Sequence, residues 1–173
     1  PHHPQKPMPP EELLTLIDQA AEEGWKELDL SGKGLTELPA EIGKLTQLET
    51  LILGQVEKRE WIDDEYVPKL VTNELTTLPE ELAKLENLQT LNLSGNPLTT
   101  IPEVVFEVSS LKSLTAVSVG LSEIPEAIRQ LTNLTQLDLS NNQISEIPAV
   151  IGQLTNLTQL DLSNNQISEI PAV

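Results

Sequence analysis

The side chains best suited to recognition chemistry lie close together, between positions 55 and 71 of this 173-residue chain. The chain has only four aromatic residues, and Trp61 and Tyr66 stand in this segment beside Lys58 and Arg59. Trp, Tyr and Arg are enriched at the centres of protein–protein contacts. We therefore take these four residues as candidate contacts to a protein partner. The alternative is that Trp61 and Tyr66 only fix the segment onto the body of the protein.

Catalytic and metal-binding chemistry finds little support in the sequence. There is no cysteine, and the two histidines, His2 and His3, are adjacent at a Pro-rich start, where an expression remnant is a simpler explanation than a metal site. Serines and carboxylates are plentiful, but none is paired with a general base. The acidic run Asp63, Asp64 and Glu65 lacks the ligand spacing of a calcium loop. We predict that the chain is not an enzyme and holds no metal ion and no cofactor.

A repeat of 23 residues organises the chain. An Ile-Pro or Leu-Pro dipeptide recurs at that step, with its prolines at Pro79, Pro102, Pro125, Pro148 and Pro171. An earlier copy at Pro39 lies 40 residues before Pro79, which is one period plus an insert of 17, roughly residues 55–71. A fixed period of about 20–50 residues indicates a solenoid, in which each repeat packs only on its neighbours.

Each repeat carries the pattern of a short strand followed by a short helical return. In the fifth repeat Leu137 and Leu139 flank a polar residue, as in a half-buried strand, and residues 148–154 have apolar side chains at spacings of three, as in a 3₁₀ turn. Stacked copies predict an α/β fold. This is a right-handed solenoid with short parallel strands on its concave face, short helical or 3₁₀ returns on its convex face and an N-terminal capping helix.

One asparagine per repeat is expected to stabilise the tight turn after the strand. Inward-facing amides there can bond backbone groups of their own turn and of the neighbouring one. This asparagine ladder comprises Asn73, Asn96, Asn142 and Asn165. Lys33 and Val119 occupy the equivalent positions in the first and fourth repeats, so we expect a locally irregular fourth coil.

The stretch from Leu134 to Pro148 reads Leu-Thr-Gln-Leu-Asp-Leu-Ser-Asn-Asn-Gln-Ile-Ser-Glu-Ile-Pro and resembles a leucine-rich repeat of the Ile/Leu-Pro class. The resemblance runs from about residue 25 to the end and implies a role in protein–protein interaction. The motif Leu-Thr-Asn-Leu-Thr-Gln-Leu also resembles internalins, which typically use slightly shorter repeats without this proline. The N-terminal block resembles the start of cyanobacterial, hence bacterial, Roco-type proteins, in which leucine-rich repeats precede a Ras-like GTPase domain. The resemblance is carried by Glu11–Ser31, by Leu35-Thr-Glu-Leu-Pro39 and by Leu51-Ile-Leu-Gly54. No phosphate-binding loop is present here.

The predicted domain organisation follows from these patterns. Residues 1–10 form a disordered tail or an expression remnant, and residues 11–24 form the capping helix. Residues 25–173 form about six leucine-rich repeats, interrupted by the insert at 55–71 and truncated at the C-terminal end. Because an uncovered strand edge invites pairing, the last repeat could join end to end with a second copy.

Three surfaces compete for a partner: the insert, the concave face and one acidic edge. On the concave face, side chains are expected to form outward-facing columns. The middle column contains Asp29, Asn92, Thr115, Asp138 and Asp161. The next column consists of Ser31, Gly54, Ser94, Val117, Ser140 and Ser163. The acidic edge is the stripe Glu37, Glu123, Glu146 and Glu169, each just before an Ile-Pro or Leu-Pro, and it would suit a basic partner.

Charge and composition narrow the kind of partner. The formal net charge of −17 argues against nucleic acids and membrane surfaces, because both would repel the chain. The absence of cysteine, of a signal-peptide pattern and of a long apolar run favours a cytoplasmic location. We predict a protein–protein interaction module, the N-terminal leucine-rich-repeat segment of a Roco-type regulatory protein, with a protein or the chain's own downstream domain as partner. Two alternatives stay open: a targeting or substrate-recruiting arm of an enzyme whose catalytic domain lies elsewhere, and a purely structural repeat protein.

Overall fold

The computed structural model describes residues 6–170, which form an N-terminal helix and a stack of six coils. Helix α1 spans Pro10–Glu23. The strands are β1 (Glu27–Asp29), β2 (Thr50–Ile62), β3 (Glu65–Val71), β4 (Thr90–Leu93), β5 (Ser113–Thr115), β6 (Gln136–Asp138) and β7 (Gln159–Asp161). Short 3₁₀ helices span Ala40–Lys44, Glu80–Lys84, Glu103–Glu107, Glu126–Gln130 and Ala149–Gln153. Coils one to six begin with β1, β2, β4, β5, β6 and β7.

Six strands pair side by side in a parallel sheet in the order β1-β2-β4-β5-β6-β7, and β3 pairs antiparallel with β2. Equivalent residues of neighbouring coils pair with each other across the sheet. One such row contains Leu28, Leu51, Leu91, Leu114, Leu137 and Leu160. The first five leucines of this row are buried, whereas Leu160, on the outermost strand, is 42% exposed. The predicted parallel-strand solenoid is confirmed.

The recurring proline starts each 3₁₀ helix. Its extended backbone leads directly into the helix, and its carbonyl accepts the first N–H of the return, at 3.1 Å from Ile42 to Pro39 and 3.0 Å from Val105 to Pro102. Proline suits this position because its nitrogen has no hydrogen to leave unpaired. The residue that donates is apolar and buried in the core, as Ile42 and Val105 show. The 23-residue period of the sequence is therefore the length of one coil.

The asparagine ladder lies inside the stack and ties neighbouring coils together. Asn73 is buried and saturated: its Oδ1 accepts from the backbone N–H groups of Lys33 and Leu35 at 3.1 and 2.9 Å, and its Nδ2 donates to the carbonyls of Leu30 and Leu53 at 2.8 Å each. Such an amide pairs the backbone groups that a tight turn leaves without partners.

The other ladder members repeat this arrangement. Asn96 Oδ1 accepts from Leu75 N at 3.1 Å, and its Nδ2 donates to the carbonyls of Leu53 and Leu93. Asn165, in the last coil, accepts from Ile144 N at 3.0 Å. Each side chain therefore bridges its own coil and the coil before it.

A second asparagine ladder, which we did not predict, runs beside the start of the strands. Asn87, Asn133 and Asn156 each donate through Nδ2 to a backbone carbonyl of the preceding coil, at 2.8, 3.0 and 2.8 Å. Just before β5, Ser110 takes this position and donates its hydroxyl to Leu88 O at 2.6 Å. These side chains are more exposed than the first ladder, so losing one leaves its carbonyl accessible to water.

The fourth coil, where Val119 replaces the ladder asparagine, is more regular than we predicted. Strand β5 pairs in register with both β4 and β6. The difference is confined to the turn after the strand, where the Val119 carbonyl accepts from Thr99 N at 2.9 Å. Asn142, from the next coil, supports this turn by accepting from Val119 N and Leu121 N at 3.0 and 3.1 Å.

Helix α1 covers the open side of the first coil. Leu13, Ile17 and Ala20 lie on one face and are buried, and the helix ends at Gly24 in a left-handed conformation with φ 64°. Glycine is the usual residue at such a helix end, because it lacks the Cβ that disfavours positive φ. Lys44 Nζ lies 3.3 Å from Asp18 Oδ1 across the junction with the first coil.

Residues 6–9, which precede the helix, are placed against the first coil. Met8 N donates to Lys33 O at 2.7 Å, and Pro7 packs on Gly34, where an added Cβ would lie 2.9 Å from the Pro7 Cβ. This part of the predicted tail therefore contacts the solenoid. His2 and His3 lie outside the described residues.

Candidate functional site

The insert, for which no secondary structure was predicted, folds into a β-hairpin. Strand β2 pairs in parallel over residues 50–54 and then continues, antiparallel to β3, from Gln55 to Ile62. Asp63 and Asp64 form a two-residue connection, both with positive φ, at 48° and 67°. Positive φ at both positions is typical of the turn that matches the twist of paired strands. The turn conformation therefore accounts for Asp63 and Asp64 at the tip of the hairpin.

The base of the hairpin is fixed to three coils. Gln55 Nε2 donates to Asp29 Oδ2 and Ser31 Oγ in the first coil, at 3.1 Å each. At the end of β3, Thr72 Oγ1 donates to the Ser94 carbonyl of the third coil at 2.7 Å. These bonds hold both strands of the hairpin where they leave the solenoid.

Further out, the hairpin runs along the stack toward its C-terminal coils. Arg59 Nη1 donates to Asn141 Oδ1, in the fifth coil, at 3.4 Å. Neighbouring strands lie about 4.8 Å apart, so the fifth coil is about 14 Å from the second, and four residues of β2 beyond its base span about 13 Å, with the Arg59 side chain covering the rest. The hairpin therefore lies over coils whose strands come much later in the chain.

Trp61 and Tyr66 are opposite each other on the two strands, near the tip. Their ring centroids are 5.3 Å apart and the rings are tilted by 44°. Trp61 is 73% exposed and Tyr66 is 47% exposed, so neither ring is inserted into the solenoid core. Both side chains are therefore accessible to a partner, Trp61 more than Tyr66, and the alternative that they only fix the segment to the body stays a competing interpretation.

The two candidate cations are engaged within the chain. Lys58 Nζ lies 2.8 Å from Glu60 Oε1, and this hydrogen bond, with the negative charge of Glu60, raises the pKa of Lys58. Arg59 is half-buried on Asn141. Side chains alternate between the faces of a strand, which puts Arg59 on the face of Trp61 and Lys58 on the opposite face. The structure therefore brings three of the four predicted residues together on one face.

A cleft of about 510 Å³ separates the hairpin tip from the solenoid. Trp61, Tyr66, Asp64 and Glu65 contribute from the hairpin, and Asn141 and Asn164 from the turns of the fifth and sixth coils. The two asparagines are linked, with Asn164 Nδ2 donating to Asn141 Oδ1 at 3.4 Å. The sequence analysis missed these two asparagines as site residues, because only the path of the hairpin brings them under the aromatic pair.

The middle column of the concave face has the predicted register but a different use. Asp29, Asn92, Asp138 and Asp161 each accept, through Oδ1, the backbone N–H of the residue two positions later, at 2.9, 3.1, 3.0 and 2.9 Å. Such side chains stabilise the end of the strand. Thr115, which lies between Asn92 and Asp138 in this column, is followed two positions later by Val117. Around Thr115, Asp138 and Asp161 the concave face forms a shallow polar hollow of about 500 Å³.

The column next to it is not the outward surface that we predicted. Gly54, Ser94, Val117 and Ser140 are buried. Ser94 Oγ both donates to Asn92 Oδ1 and accepts from Val117 N, which shows that these side chains belong to the turn. The acidic stripe of Glu37, Glu123, Glu146 and Glu169 is exposed along its length.

Two sequence-family models match the chain. Leucine Rich repeats (2 copies) matches residues 132–173, and Leucine Rich Repeat matches residues 87–107. The chain is a leucine-rich-repeat solenoid. The hairpin and Val119 lie outside both matched ranges.

Solved leucine-rich-repeat structures share the fold. A leucine-rich-repeat protein of Leptospira interrogans is 34% identical over 96% of this chain and 42% of its own, with a TM-score of 0.66. Internalin C2 of Listeria monocytogenes is 26% identical over 91% of this chain and 66% of its own, with a TM-score of 0.68. The crystal structure of PEPR1–AtPEP1 contains a chain that is 30% identical over 84% of this chain and 19% of its own, with a TM-score of 0.61. The solenoid thus spans less than two thirds of each of these proteins, and no curated protein matches it.

The structure also bears on membrane and metal sites. Between residues 6 and 170, no helix has the length and apolar character needed to cross a bilayer. Within the same residues, no cluster of three or more acidic or histidine side chains has a geometry that could hold a metal ion.

Proposed function

We propose that this leucine-rich-repeat solenoid is a protein–protein interaction module and that it docks its partner at the tip of the β2–β3 hairpin. The observation that carries the proposal is the exposed pair Trp61 and Tyr66, held at 5.3 Å beside an open cleft. Large aromatic side chains supply much of the binding energy at protein interfaces, and a rigid scaffold that presents them loses little entropy on binding.

The hairpin is favoured over the concave face for a chemical reason. The concave columns carry small polar side chains, and four of the five candidates in the middle column already bond their own backbone. Hydrogen bonds already made within the chain contribute little when a partner arrives, because they would have to be exchanged rather than added. Asp29, Asn92, Thr115, Asp138 and Asp161 are therefore proposed as supporting contacts at most.

The wider setting is a further part of the proposal. We infer a cytoplasmic, bacterial regulatory protein of Roco type, in which the solenoid docks a separate protein or the GTPase domain of its own chain. The resemblance of residues 11–39 to the start of Roco-type proteins supports this setting. A recruiting arm of an enzyme and a purely structural repeat are the competing roles, and neither requires an exposed Trp–Tyr pair. End-to-end pairing through β7 is proposed separately, because Leu160 and Ile170 are 42% and 83% exposed there.

The test compares partner capture by two double variants. Trp61→Ala/Tyr66→Ala removes the pair, and Gln136→Ala/Gln159→Ala removes two polar side chains from the concave face as the matched control. Both keep every buried residue, so thermal unfolding should be unchanged to within a few degrees. We expect a pull-down with the wild-type chain to retain a protein that the hairpin variant loses and the control keeps. Retention by the hairpin variant and loss by the control would move the docking site to the concave face.

A further inference from the structure

We infer that the cleft under the hairpin tip receives an arginine or lysine side chain from a basic segment of the partner. This inference rests on the proposed function and specifies the chemistry of the partner. Three groups of side chains carry it: the aromatic pair, two carboxylates beside it and the asparagines that form the opposite wall.

The aromatic pair provides a surface for a cation. A guanidinium or ammonium group over the face of Trp is attracted by the negative potential of the ring, and a planar guanidinium can also stack on it. Trp61 is the most exposed aromatic side chain in the described residues, and both Trp61 and Tyr66 line the cleft.

The carboxylates next to the rings have no cation of their own in the described part of the chain. Asp64 and Glu65 are exposed, line the cleft and take part in none of the ion pairs of residues 6–170. The neighbouring lysines are committed elsewhere, since Lys58 pairs with Glu60 at 2.8 Å and Lys69 lies 3.9 Å from Glu57. Two carboxylates beside an aromatic face complement the positive charge and the hydrogen-bond donors of an arginine side chain.

Arg59 limits where the incoming charge can sit. It lies on the same face as Trp61, but its guanidinium is directed to Asn141 Oδ1, on the solenoid wall. A second cation is therefore repelled from that end of the cleft and directed toward Asp64 and Glu65. The amide of Asn164, on the same wall, can accept a hydrogen bond from the incoming group.

The charge of the whole chain favours the same class of partner. A net charge of −17 attracts basic segments over several ångströms and speeds their arrival, and it repels acidic ones. General attraction would act anywhere on the surface, so a test must separate binding at the cleft from binding to the body as a whole.

The experiment uses nuclear magnetic resonance with the full 173-residue chain and defined peptides. The probe is an acetylated, amidated octapeptide of alternating Gly and Arg, and the matched probes replace Arg by Gln or by Glu. The chain has two tryptophans, so the Trp61 indole signal is assigned by its loss in Trp61→Phe. We expect the Arg peptide to shift the Trp61 indole and the Asn164 side-chain amide while the Trp25 indole stays in place. The Gln and Glu peptides should bind at least about tenfold more weakly.

Two charge variants then locate the binding. Asp64→Asn/Glu65→Gln and Glu123→Gln/Glu146→Gln each remove two negative charges, the first at the cleft and the second on the acidic stripe. Asparagine tolerates the positive φ at position 64, so the turn is kept. We expect the cleft variant to weaken Arg-peptide binding by at least about fivefold and the stripe variant by less than about twofold at equal ionic strength. Equal losses, or no shift of the Trp61 indole, would overturn the inference.

The same variants separate this inference from the proposed function. Trp61→Ala/Tyr66→Ala could lose a captured partner that Asp64→Asn/Glu65→Gln retains. That result would support the docking site but refute the inference that the partner inserts a basic segment. A partner that is insensitive to both variants would refute the docking site itself.

Discussion

Gly54 lies against the backbone carbonyl of Ser94 with no space for a side chain between them. This contact marks the place where β2 leaves the parallel sheet, because the register with β4 shifts between Ile52 and Gly54. Thr72 closes the same corner, with its Oγ1 2.7 Å from where a Gly54 Cβ would lie. One residue without a side chain thus allows a single strand to serve both the solenoid and the hairpin.

Gly54→Ala is therefore expected to be destabilising. The added methyl meets backbone rather than a flexible side chain, so the strand must move, which typically costs about 1–3 kcal/mol. Gly152→Ala is the matched control, because no atom lies within 4 Å of its added Cβ. The control should be neutral or stabilising by up to about 1 kcal/mol. Chemical denaturation of both variants measures the difference, and equal stabilities would show that the corner is not tight.

The two asparagine ladders should respond differently to truncation. Asn96→Ala leaves Leu75 N unpaired in the core and removes one donor from each of the carbonyls of Leu53 and Leu93, at an expected cost of about 1–3 kcal/mol. Asn87→Ala removes one exposed bond, to Thr46 O, and should cost less than about 1 kcal/mol. Thermal unfolding distinguishes them, since about 1 kcal/mol corresponds to a few degrees in a chain of this size. A melting temperature unchanged by Asn96→Ala would contradict the role of the buried ladder.

Restoring the repeat pattern at position 119 is expected to destabilise the fourth coil. The N–H of Leu98 already donates to Asn96 O at 2.8 Å, and that of Thr99 donates to Val119 O at 2.9 Å. An asparagine in place of the buried Val119 would therefore have a side-chain amide with few free partners, which costs about 1–3 kcal/mol. Val119→Asn should lower the midpoint of urea unfolding, and a raised midpoint would show that the turn rearranges to complete the ladder.

The hairpin should be removable without loss of the solenoid. Residues 57–69 include no buried side chain, and Val56 and Leu70 face each other across the two strands. Replacement of Glu57–Lys69 by Asn-Gly provides a two-residue turn of the favoured type between them. We expect a cooperative thermal transition and an unchanged far-ultraviolet circular dichroism shape apart from the lost strands. A non-cooperative transition would mean that the hairpin is part of the core.

The sequence pattern predicted the coils well, because each repeat is a local unit. The alternation of Leu137 and Leu139 predicted which side of the strand faces the core. The recurring proline predicted where the 3₁₀ return begins, and the position of Asn142 after the strand predicted that its amide bonds the turn. Each of these relations spans a few residues or one period, so a single sequence contains them.

The hairpin and the site were predictable only in part. The hairpin itself was not predicted. Pro68 is tolerated in β3 because β2 is the only strand that pairs with β3 in the described residues. The composition did identify Trp61 and Tyr66. It could not identify Asn141, since that residue is 82 positions from Arg59 in the chain and only the direction of the hairpin joins them.

The route of β2 has a consequence for biosynthesis. A ribosome releases the N-terminus first, so Arg59 and the hairpin tip emerge before the fifth and sixth coils that form the other wall of the cleft have been made. During that interval the aromatic pair has no opposing surface. The cleft therefore exists only once translation has passed Asn164.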